Sequence, residues 1–277
     1  MDRTAGEVIA DYVGDHVDEL NADMGEVLRS TPGSAADTRQ RIYRVRTAIR
    51  GYRSLFVTVP VGGPLLEQLL GALKRTRDME ALAEHFGNRL SQLEVPSDEM
   101  PGWYGELMDE REKSYRDVHT IAEQPWVAAL LAQVRMFSDH PELTAEGKRT
   151  PGSLMNLISR SRTHMLDTYA KMSHTADAHA AREQARVASR DTWYMAEAAE
   201  GSLGKAVGDI ANGARKLYDS MNDLLQAGIA RTWLLQLPAS DRAEELTMSM
   251  AELERREIHR LQEETDQIAV NLTRTWT

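Results

Sequence analysis

The 277-residue chain contains no cysteine, which excludes a disulfide framework, a zinc–thiolate centre and a thiol nucleophile. No apolar run approaches the length of a bilayer span. The N-terminal stretch also lacks a basic segment followed by an apolar one, so a soluble cytoplasmic protein without a membrane partner is expected. Positive charge is in deficit: 33 Lys and Arg against 43 Asp and Glu leave a net charge of -10. That balance argues against nucleic-acid binding through bulk charge. Catalytic signatures are missing as well. There is no His-Glu-x-x-His, no histidine has a glutamate three residues before it, and Val61-Gly62-Gly63-Pro64 lacks the Lys-Ser/Thr of a phosphate loop. No catalytic residue, metal site or cofactor is expected, and the chain is read as a non-enzyme.

Helical periodicity dominates and strand alternation is scarce. Helices are expected over about 5–29, from the mid-thirties to 57, and over 65–93, 103–121, 124–137, 154–172, 176–200, 204–235 and 242–276. The 204–235 helix is expected to break near Ala227-Gly228. In the first helix Ile9, Val13, His16, Leu20, Met24 and Val27 share the apolar face, while Glu7, Asp11, Asp15 and Asp18 line the far side. His16 reads as a core histidine. Residues 138–153 carry Pro and Gly and few apolar side chains, and read as a linker between an N-terminal half, 1–137, and a C-terminal half, 154–277.

Against the acidic total, six arginines crowd into residues 39–53. At helical spacing Ile42, Val45, Ile49, Tyr52 and Phe56 form one apolar face, and Arg39, Arg46, Arg50 and Arg53 form a row directly beside it. A row so placed points into the groove between neighbouring helices. It suits either a channel for a polyanion, whose phosphate oxygens guanidinium binds bidentately, or long stems lying over the core edge and pairing with acids. Asp78 and Glu80, on a helix beside Arg75 and Arg77, are expected to orient those arginines. The two halves look alike: Arg39 lies seven residues before Arg46, and Arg186 seven before Trp193. Each such helix precedes one with a related phrase, Arg77-Asp78 or Asn222-Asp223.

In these segments the chain resembles the CHAD family, the conserved-histidine α-helical domain. Residues 39–56 look like its Arg-rich first motif, 73–81 like its L-G-x-x-R-D-x-D-V phrase, 186–197 like its second basic motif, and 217–227 like its L-Q-D-x-L-G-E-x-x-D-A phrase. The resemblance implies an all-α fold of two four-helix-type bundles related by a pseudo-two-fold axis, with a basic cleft or pore between them. It further implies binding of inorganic polyphosphate, with phosphate or sulfate ions as stand-ins, and a cytoplasmic location at polyphosphate granules. The Glu-x-Glu-x-Lys strand of the triphosphate-tunnel domain that some members carry is missing.

The matching and neighbouring basic positions give the candidate polyphosphate-binding set: Arg39, Arg44, Arg46, Arg50, Arg53, Lys74, Arg77, Arg160, Arg162, His179, Arg182, Arg186 and Arg190. There are departures from the family pattern. The family's two histidines fall on Ala36 and Glu183, and Tyr43, Asp191 and Trp193 replace basic residues; Trp193 could narrow the pore. His179, one turn before Glu183, with Arg182 beside it, is the candidate substitute. Weaker binding than in typical members, or none, is therefore expected. The alternative is a helical protein-interaction scaffold with a decayed polyphosphate site, for which the mixed-charge helix around Glu252, Glu254, Arg255, Arg256, Glu257 and Arg260 is the partner-facing candidate.

Overall fold

A computed structural model describes residues 3–60, 62–172, 178–242 and 245–276, excepting the side chains at 178, 179 and 242. Among these residues the architecture is all-α: α1 (Ala5–Leu28), α2 (Ser34–Gly51), α3 (Gly63–Gln92), α4 (Gly102–Ala122), α5 (Pro125–Asp139), α6 (Leu154–Met172), α7 (Ala178–Leu203), α8 (Lys205–Gln236), a single turn α9 (Ala239–Arg242) and α10 (Glu245–Trp276). Local signals explain several boundaries. Thr4 and Glu7 close a reciprocal capping box on α1, satisfying two otherwise orphaned backbone N–H groups. Proline opens α3 and α5, where its missing N–H costs nothing. Gly204, at φ +73, permits the tight reversal from α7 into α8.

In the first half α1 packs on α2 and α5, α2 on α3, and α3 on α4. In the second, α6 packs on α7, α7 on α8, and α8 on α10. The halves meet where α7 crosses α1 and α2, and where α3 touches α8. Their cores merge. One cluster joins Val13, Val45 and Tyr52 of the first half to Ile158, Tyr194 and Leu217 of the second. Another joins Phe86, Trp103 and Leu107 to Leu234 and Met250. A third, around Leu20, Ile42, Leu73 and Val118, belongs to the first half alone. Each fully buried side chain of this size contributes roughly 1.5–3 kcal/mol, so the contact between halves is part of the folding core.

Two expectations from the sequence are corrected. The arginine helix stops at Gly51 and not at 57. A short 3-10 turn, 53–55, follows, and Phe56 leaves the helix to form an isolated β-bridge with Leu143. Val57 N–H donates to Glu142 O at 2.8 Å and Thr144 N–H to Leu55 O at 3.0 Å, so residues 142–144 lie along the exit of α2. The chain then returns to the start of α1, where Ala5 N–H donates to Arg149 O and Gly6 N–H to Gly147 O. The α8 helix does not break at Ala227-Gly228. Glycine inside a helix costs about 1 kcal/mol, but Ala227, Ala230 and Leu234 are buried on the same face, and that packing outweighs the local preference.

Candidate functional site

A basic cluster is built where α2 and α3 of the first half face α7 and α8 of the second. Gly51 gives the Met195 side chain of α7 room against α2: a Cβ there would meet Met195 Sδ at 2.6 Å, so that side chain would have to shift. On α2 the side chains of Arg39 and Tyr43, one turn apart, turn toward α7: Arg39 Nη2 donates to Tyr43 Oη at 3.1 Å. From α7, Arg190 lays its guanidinium 3.9 Å from the centroid of the same ring. One turn earlier, Arg186 points at Tyr218 of α8, with Nη1 3.4 Å from its hydroxyl. Arg39, Arg186 and Arg190 are 8%, 6% and 7% exposed, which is rare burial for arginine. Arg77 of α3 is close enough that its charge, with that of Arg186, acts on Arg39.

The acids of the cluster are unevenly shared. Glu183 grips Arg186 through both carboxylate oxygens, at 2.5 and 2.8 Å. Asp191 accepts from Arg190 at 2.9 Å and from Thr47 at 3.1 Å. Asp78 accepts from Lys74 at 2.5 Å. Arg77 Nε lies 3.3 Å from the other Asp78 oxygen, which accepts no aligned hydrogen bond. Among the described residues Arg39 forms no ion pair, and its buried Nε has no hydrogen-bond partner. Burial, reinforced by the neighbouring arginines, lowers the pKa of the Arg39 guanidinium. For Glu183 burial works the other way, but the hydrogen bonds and charge of Arg186, with Arg190 and Arg39, hold its carboxyl below the ordinary range. Four guanidiniums and the Lys74 ammonium thus face three carboxylates, and of the three buried arginines Arg39 alone forms no ion pair among the described residues.

Beside this cluster stands a structural pillar. Arg44 donates to both oxygens of Glu197, at 2.6 and 3.3 Å. Tyr12 Oη donates to Glu197 at 2.7 Å, and Arg44 lies over the rings of Tyr194 and Trp193. Burial would raise the Glu197 carboxyl, but Arg44 and Tyr12 hold it down. His16 joins from α1, stacked edge-on against Tyr12, with Nδ1 2.9 Å from Glu19 and Nε2 3.8 Å from Glu197. Burial lowers its pKa.

The predicted basic set is therefore dispersed. Arg39, Arg77, Arg186 and Arg190 come together, with Lys74 held by Asp78. Arg44 is held by Glu197. Arg46 pairs with Glu67 at 2.7 Å, Arg53 donates to the carbonyls of Phe56 and Val57, and Arg46, Arg50 and Arg53 line a different, apolar pocket. Arg50 also borders an opening of about 560 Å³ between α2, α6 and α7, shared with His164, Glu183 and Asp191. Arg160 is exposed on α6, Arg162 approaches Trp276, and Arg182 lies near Tyr169. The His179 side chain lies outside the described residues. Glu80 does not orient an arginine: it accepts from the Gly33 N–H at 2.9 Å and from Tyr115, pinning the start of α2. The sequence reading did not select Tyr218 or Arg215 as site residues. Arg215 lies over Trp193 at 5.3 Å, and no local motif marks it. Among the described residues no cluster of three or more His, Asp or Glu could hold a metal ion, and no helix is long and apolar enough to cross a membrane.

Comparison with known proteins adds three findings. The model of the CHAD domain family matches residues 11–235. The fold is similar to the solved structure of PptA from Streptomyces chartreusis, at 18% identity and a TM-score of 0.74 over 96% of this chain and 99% of that one. It is also similar to the crystal structure of the CHAD domain from the plant Ricinus communis, at 16% identity and a TM-score of 0.71 over 98% of this chain and 92% of that one. At such identities the structural likeness speaks to the fold. No curated protein sequence matches.

Proposed function

This chain belongs to the CHAD domain family, and on that premise we propose that it binds inorganic polyphosphate, or a similar linear polyanion, without catalysis. The proposed site is the cluster of Arg39, Arg77, Arg186 and Arg190, with Lys74 at its side. One observation carries the reading: Arg39 is buried, repelled by two neighbouring arginines, and has an Nε without an acceptor. Buried polar groups are nearly always satisfied, and an uncompensated buried charge is strongly unfavourable. A phosphate oxygen entering between Arg39 and Arg190 supplies both the acceptor and the missing negative charge. The tyrosine faces that hold the two guanidiniums fix their planes without neutralising them. Cytoplasmic location at polyphosphate granules, and a pseudo-two-fold relation making Arg39 and Arg186 counterparts, belong to the same proposal.

A second reading, the protein-interaction scaffold, is favoured by Glu183 and Asp191, which already occupy Arg186 and Arg190. Titration with long-chain polyphosphate at two salt concentrations separates the two. The polyanion reading expects binding that weakens steeply as salt rises, by analogy with nucleic-acid backbones, and that is lost in Arg39→Gln/Arg190→Gln with helicity intact. A folded protein that ignores polyphosphate even at low salt leaves the scaffold.

A further inference from the structure

Three arginines that do not join the basic cluster, Arg46, Arg50 and Arg53, border a separate apolar chamber. Between α1, α2, α3 and α5 lies a pocket of about 400 Å³, open to solvent on one side. This volume lies within the ~300–1,000 Å³ typical of small-molecule sites. Its floor includes Val17, Met24, Val45, Leu69 and Val134, all buried. Charge is confined to one rim: Arg46 and Arg50 from α2, Arg53 from the 3-10 turn after it, and Glu67 from α3. Glu67 is taken by Arg46, Arg53 by two backbone carbonyls, and exposed Arg50 makes no ion pair among the described residues. Three guanidiniums against one carboxylate make the mouth cationic, while among the described residues no other ionisable side chain lines the interior.

We propose that this chamber binds a single-chain anionic amphiphile, a free long-chain carboxylate, with its tail among α1, α2 and α5 and its head group at Arg50 and Arg53. Charge complementarity selects the occupant. An extended peptide would bring backbone polar groups into a lining that offers them almost no partners. A helix, 10–12 Å across, would fill the space in about one turn. A hydrocarbon tail needs no polar partner, and its carboxylate meets the guanidinium geometry at the rim.

The test is calorimetric titration of the full chain with sodium dodecanoate below its micelle-forming concentration, alongside shorter saturated carboxylates and dodecanol. Affinity is expected to rise roughly fourfold per added methylene, the fold-change equivalent to the ~0.8 kcal/mol of burying one CH₂. Dodecanol should bind at least tenfold more weakly than dodecanoate, and Arg50→Gln/Arg53→Gln should weaken dodecanoate by a similar factor. Leu130→Trp, which fills the chamber from half-buried α5, should abolish binding with the circular dichroism spectrum unchanged. An excess of polyphosphate should not displace dodecanoate, which separates this site from the cluster. The proposal is overturned if wild-type protein gives no heat, if affinity is flat across the chain-length series, or if the Leu130→Trp protein, folded, binds equally well.

Discussion

Replacing Glu197 with leucine tests whether Arg44 is a ligand for an anion or a pillar of the fold. The substitution leaves Arg44, whose side chain is 15% exposed, without its carboxylate, and leaves the half-buried Tyr12 hydroxyl without an acceptor. Breaking a buried pair from one side costs about 3–5 kcal/mol. Glu197 retains 26% side-chain exposure, so water reaches the vacancy and about 2–3 kcal/mol is the expected loss. For 277 residues at ~2.1 cal/mol/K per residue, the entropy of unfolding is near 0.6 kcal/mol/K, and Tm should fall by about 4 °C. Arg44→Met/Glu197→Leu removes both charges and should regain most of this, leaving about 1 kcal/mol for the stranded tyrosine. Scanning calorimetry on the two variants and the parent provides the measurement. A single variant within about 0.5 kcal/mol of the parent, or a double variant no more stable than the single, refutes the pillar. The double variant has unchanged net charge and an intact Arg39–Arg190 cluster, so its polyphosphate affinity should match that of the parent.

Glu183→Gln should release Arg186 and tighten polyphosphate binding severalfold, with a salt dependence steeper by about one counterion, read as the slope of log K against log salt. Acid stability follows from the depressed carboxyls of Glu183 and Glu197. Their contribution is complete above the unfolded value of about 4.3 and is lost as pH falls through the lower folded values. A denaturant series from pH 6 to 3 should therefore show the parent losing more stability than Arg44→Met/Glu197→Leu, and equal losses would contradict it. Glu254→Leu should destabilise by roughly 2–4 kcal/mol, because Glu254 is 0% exposed while Arg89 donates to it at 3.1 Å and His85 lies 2.8 Å away; a neutral result by urea unfolding would mean that this buried junction of α3 and α10 is idle. Gly51→Val should cost about 1–3 kcal/mol by overpacking against Met195, and Met195→Ala in the same chain should relieve much of it.

Much of the helical scaffold is legible in residue order alone, because periodicity, proline, glycine and caps act over a few residues. The apolar face of α1, its solvent-facing acids Glu7, Asp11, Asp15 and Asp18, and the starts of α3 and α5 follow from such rules. So does the arginine helix itself, and its resemblance to one family carries the fold as a whole. The fate of each arginine does not follow, since a helical wheel gives an angle and not the neighbour that stands there. Arg39 and Arg46 share a row on the wheel, yet the crossing of α2 over α7 turns Arg39 into the tyrosine-walled cluster while α3 offers Glu67 to Arg46. Tyr43 and Trp193 look like losses of charge along the chain, but in the fold their rings are surfaces on which Arg39, Arg190, Arg44 and Arg215 lie. Glu183 and Asp191 look like defects of a basic motif, and only packing reveals which guanidiniums they hold and that Arg39 is left without one. Helix formation is a local matter of hydrogen bonds and side-chain spacing; partnership between charges is decided by which faces come to lie against each other, and that is a property of the assembled core.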